Sequence, residues 1–312
     1  MRTFFILICL LTAPFAGMAE EANSLAPQYH VGEHFLYEAQ LNVDMDQKMI
    51  TPEKANISYH VALASDAEVI VNQVNDDKSV DLQVKLIQPN LQFSVVNNDG
   101  NNNQFNLSFD STNEDEPAFP PFQFIYPIAK CLDGVQFTVN IDPNGRISGI
   151  QGLDAVREKV EKELAVSVPD GMRDQICTAI KSKFLLSAVT HFTSYLPDHP
   201  VKVGDQWKGS STDHGFGDDA LWTLSTADQN QLKMEKKYTV DGERFKGLID
   251  SGLIKDMKMD ATESLNITKG SHVILSVNEN ATMSSQQKMA LPDGRDLDAQ
   301  YNVTAQFSLQ KK

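Results

Sequence analysis

Apolar and polar side chains alternate along most of this chain, and that period of two is the constraint any fold must satisfy first. From Phe35 the apolar residues Phe35, Tyr37, Ala39, Leu41, Val43 and Met45 take every second position, with Glu38, Gln40, Asn42 and Asp44 between them. Successive side chains of a strand point to opposite faces, so this stretch has one dry and one wet face. The alternation returns at Ile57-Tyr59-Val61-Leu63, Val80-Leu82-Val84-Leu86, Leu91-Phe93-Val95, Phe105-Leu107-Phe109 and Val135-Phe137-Val139-Ile141. Strands wetted on one side belong to antiparallel sheets, whereas the parallel sheets of nucleotide-binding folds are covered on both faces. Asp142-Pro143-Asn144-Gly145 predicts a tight turn that aims the chain back toward Ile147 and Ile150.

The period then changes. Leu153, Val156, Val160 and Leu164 recur at spacings of three and four among charged residues, the mark of an amphipathic helix. A second helix is predicted from Met172 to Tyr195, with Ile176, Ile180, Phe184, Ala188 and Phe192 in one row and Pro197 and Pro200 closing it. Alternation resumes weakly at Leu221 to Leu224 and Leu232 to Val240, then cleanly at Leu265-Ile267, Val273-Leu275-Val277 and Tyr301-Val303-Ala305-Phe307-Leu309. The expected class is therefore α+β: antiparallel, curved β-sheets in two halves, 20–150 and 198–312, with a central helical hairpin over 151–197 packed on them. Both halves open alike, Val31-Gly32-Glu33-His34-Phe35 and Val203-Gly204-Asp205-Gln206-Trp207. An internal duplication is one reading of this likeness, and two similar strand starts, which a Gly turn feeding a buried aromatic explains locally, are the other.

Residues 1–19 bear on compartment. Arg2 is the one charge of the opening stretch, an apolar run follows from Phe4 to Leu11, and Pro14 precedes the small-residue pattern Gly17-Met18-Ala19. This is the order of a cleavable secretory signal, cut between Ala19 and Glu20. The apolar run falls short of the roughly 20 residues a bilayer span needs, so the mature chain is expected to be periplasmic or secreted with no transmembrane segment. Of the three cysteines, Cys131 and Cys177 survive processing. They are a candidate disulfide in an oxidising compartment, or two unpaired buried thiols. A formal net charge of −15 disfavours nucleic acid and anionic membrane surfaces as partners.

The search for chemistry returns little. His30-Val31-Gly32-Glu33-His34 has the spacing of an inverted zinc-peptidase motif, which needs a helix; Gly32 and the strand period that follows argue instead for a turn. Nucleophile elbows, phosphate-binding loops and dinucleotide fingerprints are absent from the sequence. Asp198-His199 and Asp213-His214 put an acid beside a histidine, but neighbours on an extended chain point apart. The acidic and Asn-rich segments lack calcium-loop spacing. Met257-Lys258-Met259 places two thioethers on one strand face, soft donors for Cu(I), or else core filler or adaptable lining of an apolar pocket. Five N-x-[ST] sequons, at Asn56, Asn106, Asn266, Asn280 and Asn302, are glycan acceptors in a eukaryotic route, but alternation on a wet face generates the same pattern.

Pro200-Val201-Lys202-Val203-Gly204-Asp205-Gln206-Trp207 resembles a P-V-x-V-G-D-x-W segment found in a family of uncharacterised bacterial secreted proteins and lipoproteins. Asp142-Pro143-Asn144-Gly145, followed by Ile150-Gln151-Gly152, resembles the strand-turn that precedes it in that family. The resemblance implies a bacterial periplasmic or outer-surface location and supplies no site residue. Many members carry a lipidated cysteine after the signal, which this chain lacks. No catalytic residue, cofactor or metal is expected. The expected function is a non-enzymatic exported binding or carrier protein for a hydrophobic ligand or an envelope protein; the alternatives are an envelope interaction module with a filled core and a hydrolase without a recognisable motif.

Overall fold

The structure, a computed structural model, describes residues 23–51, 55–97, 106–110, 133–164, 195–209, 220–240, 254–290 and 296–312. Within them the chain runs β1 (His34–Thr51), β2 (Ala55–Val74), β3 (Val80–Asn97), β4 (Asn106–Asp110), β5 (Gln136–Ile141), β6 (Ile147–Gln151), α1 (Leu153–Leu164), β7 (Gln206–Lys208), β8 (Leu221–Ala227), β9 (Gln231–Val240), β10 (Ile254–Thr268), β11 (Ile274–Ala290) and β12 (Asp296–Lys311). All twelve strands join one antiparallel sheet, in the order β6-β5-β3-β2-β1-β12-β11-β10-β9-β8-β7, with β4 on β3.

This overturns the expected α+β class. There are not two separate sheets, because β1 pairs with β12 from Tyr37 opposite Lys311 to Thr51 opposite Asp298 and joins the halves edge to edge. Nor do the described residues form a helical hairpin packed on them: the helix among them is α1, and the stretch predicted as the second helix lies outside them up to Tyr195, which sits in a turn. The sequence reading also cut the strands short. β3 fuses two separate alternating runs, since Gln88, at φ +48°, and Pro89 form a bulge rather than a loop. The bulge switches partners: β5 pairs with Val80–Lys85 and β4 with Gln92–Val96.

Parity along the strands sorts the sheet into a wet outer face and a dry inner one. At the end where β1 begins, the inner residues form one buried core that includes Phe35, Tyr37, Leu82 and Val139 from the N-terminal half with Trp207, Trp222, Leu224, Met234 and Leu265 from the C-terminal half. Leu25, Leu196 and Val201 join it from the segments flanking the strands. Opposite flanks of the sheet thus converge on one core, as the right-handed coiling of long strands permits. Short hairpins close this end. Asp142 Oδ1 accepts from the N–H groups of Asn144 and Arg146, at 2.9 and 2.8 Å, and Gly145 sits at φ +82°, as the predicted turn requires. Asp228 Oδ1 does the same for Asn230 and Gln231 at 2.7 Å each.

The two similar strand starts share one geometry. Gly32 and Gly204 lie at φ +84° and +89°. The Glu33 and Asp205 carboxylates accept from the N–H groups of His30 and Lys202, at 2.9 and 2.8 Å. The N–H groups of Gly32 and Gly204 donate to the carbonyls of Val71 and Leu224, at 2.9 and 2.8 Å, and so dock each turn on the next strand of its meander. Phe35 and Trp207 follow as buried aromatics. A side chain at Gly204 would meet open space, so a cost there is backbone strain alone. Gly204→Ala is expected to lower the stability of the full chain by about 1–2 kcal/mol, the left-handed penalty for an L-residue, measured by urea unfolding. An unchanged midpoint would show that the turn does not depend on that conformation.

Candidate functional site

The inner face continues past the core. Strands β1, β2, β3, β10, β11 and β12 are 15–20 residues long, whereas β5 to β9 are 3–10, so the long six project beyond the closed end. On that projection the outward positions are mostly polar, with Ile50, Ala62, Ala64 and Val96 among the exceptions, while the inner positions are mostly apolar: Leu41, Val43 and Met45 on β1 face the same way as Val61 and Leu63 on β2 and Val303 on β12. These residues are half-buried, in contrast to the core end, where Leu224, Met234 and Ile267 are fully buried. Among the described inner positions of the projection, small or polar residues such as Ala261, Ala299, Ser285 and Asn97 are the buried ones. The larger apolar side chains of β1 and β2 there keep part of their surface accessible.

One register row marks where core gives way to projection. It runs Leu91, Leu63, Leu41, Phe307, Glu279, Glu263, Lys236, Trp222 and Trp207 across nine neighbouring strands. Its N-terminal half is aliphatic and its C-terminal half charged. Lys236 Nζ lies 2.7 Å from Glu263 Oε2, with side-chain exposures of 6% and 2%. The ammonium also sits 4.7 Å from the Trp222 ring centroid and 5.3 Å from that of Tyr238, whose hydroxyl donates to Glu279 Oε1 at 3.0 Å. Direct opposition of Glu263 and Glu279 is unfavourable by itself, and Lys236 and the Tyr238 hydroxyl offset it.

A second polar group stands farther out on the projection. The Tyr59 hydroxyl donates to Gln47 Oε1 at 3.1 Å, and Gln47 Nε2 donates to the Tyr301 hydroxyl at 3.1 Å, so β2, β1 and β12 are linked by side chains across the inner face. Burial, together with the neighbouring Tyr301, raises the Tyr59 phenol above its ordinary value. At the closed end burial pushes Tyr29 up to about 12 and raises Tyr37 and Tyr195 further. These phenols stay neutral through the physiological range.

Few of the residues singled out from sequence meet here. Ala19, Glu20, Cys131 and Cys177 lie outside the described residues, as do Asp213 and His214. The zinc-peptidase spacing is a turn: His30 Nδ1 approaches Glu33 at 3.2 Å, while His34 Nε2 pairs with Glu68 at 2.9 Å. His199 and Asp198, expected to point apart, are hydrogen-bonded at 2.6 Å as an exposed pair, because the chain bends there instead of extending. Met257 and Met259 share the inner face as expected, and Met283 stands opposite Met259. Asn56, Asn280 and Asn302 are exposed and Asn266 donates to Ser276 Oγ at 2.8 Å, whereas the Asn106 side chain lies outside the description. Among the described residues there is no group of three His, Cys, Asp or Glu arranged to hold a metal, and no helix long and apolar enough to cross a membrane. Lys236, Glu263 and Gln47 went unnoticed in the sequence. Their signal was available, since each is a polar residue on the apolar parity of its strand.

A profile described as a family of unknown function (DUF6263) matches residues 85–269, more than half of the chain. No curated protein matches at a significant level. Among solved structures, the chain is similar at 10% identity to one titled "Lipid-protein interactions in lipovitellin", over 91% of this chain and 25% of that one, with a TM-score of 0.42. The chain thus spans about a quarter of that protein's length. It is also similar at 10% identity to DynF from the dynemicin biosynthesis pathway of Micromonospora chersina, over 93% of this chain and 85% of that one, with a TM-score of 0.15.

The buried pair yields a stability prediction. Lys236→Met leaves Glu263 buried without its cation and is expected to destabilise the protein by about 3–5 kcal/mol. Lys236→Met combined with Glu263→Leu removes both charges and is expected to recover most of that loss in urea unfolding. A double variant as unstable as the single one would mean that packing, not charge pairing, dominates at this row.

Proposed function

We propose that this chain, which belongs to the family of unknown function DUF6263, is a non-enzymatic exported binding protein that holds an apolar ligand on the inner face of its sheet. The observation that carries this reading is the half-buried apolar surface of the projection. An interaction module with a filled core would finish its inner face as its closed end does, with large side chains fully buried. Here the same parity continues for several residues beyond the core, and its aliphatic and thioether side chains keep accessible surface. Ligand sites are lined mainly by apolar groups with a few placed polar ones, and the Tyr59–Gln47–Tyr301 group matches that composition.

Methionine usage points the same way. Met45, Met49, Met257, Met259 and Met283 all fall on the inner parity of the projection, and Met234 alone among the described methionines sits in the dry core. Unbranched, polarizable thioethers adapt to ligands of variable shape. A net chain charge of −15 favours such a protein staying dispersed while its inner face is loaded and emptied.

The test is binding of an environment-sensitive apolar fluorophore to the full chain, with Met45→Glu and Val303→Glu as variants. These residues are cross-strand partners, so a charge at either should weaken binding by at least about tenfold through lost apolar contact and desolvation of the carboxylate. Asp44→Ala on the outer face should leave binding unchanged. Wild-type protein that takes up no fluorophore, or inner-face variants that bind as well as wild type, would overturn the reading.

A further inference from the structure

The polar group on the projection constrains what kind of apolar ligand fits, granted the ligand-binding reading above. Tyr59, Gln47 and Tyr301 offer two phenol protons and one amide, and the amide oxygen takes the proton of one phenol. The amide nitrogen donates to the oxygen of the other phenol, whose own proton is then left over. In this structure the spare donor is the Tyr301 hydroxyl, for which there is no acceptor among the described residues. Turning the Gln47 amide over would move the spare proton to Tyr59 but would not remove it. The row therefore presents a hydrogen-bond donor on a half-buried apolar surface, placed to meet an acceptor that a ligand brings.

Charge narrows the acceptor. Among the described residues, the inner positions of the projection around this row carry no ionisable acid or base: Met45 and Met49 on β1, Ile57 on β2, Val95 on β3, Val303 on β12, and Met283 and Ser285 on β11 are its surroundings, Ser285 standing directly opposite Tyr301. Lys236, the inner-face cation of the boundary row, is already paired with Glu263. A carboxylate or phosphate brought to Tyr301 would lose its hydration without gaining a counter-ion, which is far costlier than burying a neutral carbonyl. We infer that the ligand is an uncharged acyl-ester lipid, its ester carbonyl taking the hydrogen bond of the Tyr301 hydroxyl while its chains lie along the apolar inner face.

Diphenylhexatriene, a pure hydrocarbon fluorophore, reports occupancy of the face by the full chain, and lipids are then titrated against it. Dioleoylglycerol should displace it from the wild-type protein, and Tyr301→Phe should weaken that displacement roughly three- to tenfold, the worth of one hydrogen bond. Diphenylhexatriene itself should bind Tyr301→Phe as it binds wild type, which also shows the variant to be folded. The dialkyl ether counterpart, which has no carbonyl, should bind wild type and Tyr301→Phe alike, and dioleoyl phosphatidate should bind wild type at least about tenfold more weakly than dioleoylglycerol. Equal sensitivity of ester and ether to Tyr301→Phe, no sensitivity of the ester, or phosphatidate binding as tightly as dioleoylglycerol would each overturn the inference with the binding reading intact. Failure of wild-type protein to take up diphenylhexatriene would instead bring down the binding reading on which it rests.

Discussion

The pairing of the first strand with the last is the constraint on which the rest of the molecule depends. β1 and β12 lie in register from Tyr37 opposite Lys311 to Thr51 opposite Asp298, and each is also the start or end of a meander. Apart, the two meanders would expose two edges of 18 and 16 residues, long templates for unwanted strand addition. Together they bury those edges in each other and leave the short strands β4, β6 and β7, of 5, 5 and 3 residues, at the edges among the described residues. The union also fixes which faces are continuous, because a slip of one residue at this seam would turn the apolar parity of one half outward. The inner face exists as a single surface only because that register is kept.

Its entropic demand is large, since the seam joins residues about as far apart in sequence as the chain allows. Local structure reduces it. Hairpins at the closed end, set by Asp142, Asp228 and the twin Gly32 and Gly204 turns, let each meander form from neighbouring contacts before the seam does. The shared core at that end then draws the flanks together, with Trp207 donating its indole N–H to the Tyr195 carbonyl at 2.7 Å and Tyr195 packing edge-on to Trp222 at 6.4 Å. That stability is concentrated where the strands begin, which leaves the projection free to stay partly unpacked.

Much of this was legible in the residues. Alternation located β1, β5, β12 and the inner parity of the site correctly, because a strand with one wet face writes its period directly into the sequence. Legibility failed where that contrast fades. Ser284-Ser285-Gln286-Gln287 in β11 carries no apolar alternation because the inner face there takes a small polar residue, and Asp66-Ala67-Glu68 in β2 is too charged to stand out. The Gln88-Pro89 bulge read as a break because proline and a positive-φ residue commonly end strands, whereas here they bend one. The expectation of two sheets failed for a different reason. Pairing between strands more than 200 residues apart leaves no trace in local periodicity, and neither does the choice between one core and two. The site was half legible: the apolar parity showed, but Gln47, Lys236 and Glu263 were passed over as ordinary polar residues although they break that parity.

Those breaks bear on why one face is packed at one end and partly accessible along the rest. Left wholly apolar, the inner face would bury as much of itself as it could, and the sheet would close along its full length. A buried ion pair adds little net stability, but it penalises any arrangement that separates its members. Lys236 and Glu263 stand in register opposite each other, so closing the sheet past their row, or slipping it by a residue, would strand a charge in an apolar environment. Glu279, directly beyond Glu263, raises that penalty because burying it deeper would set two carboxylates against one ammonium. The charged row thus marks a change: below it the face buries its large side chains, and above it the larger apolar side chains of β1, β2 and β12 keep part of their surface accessible.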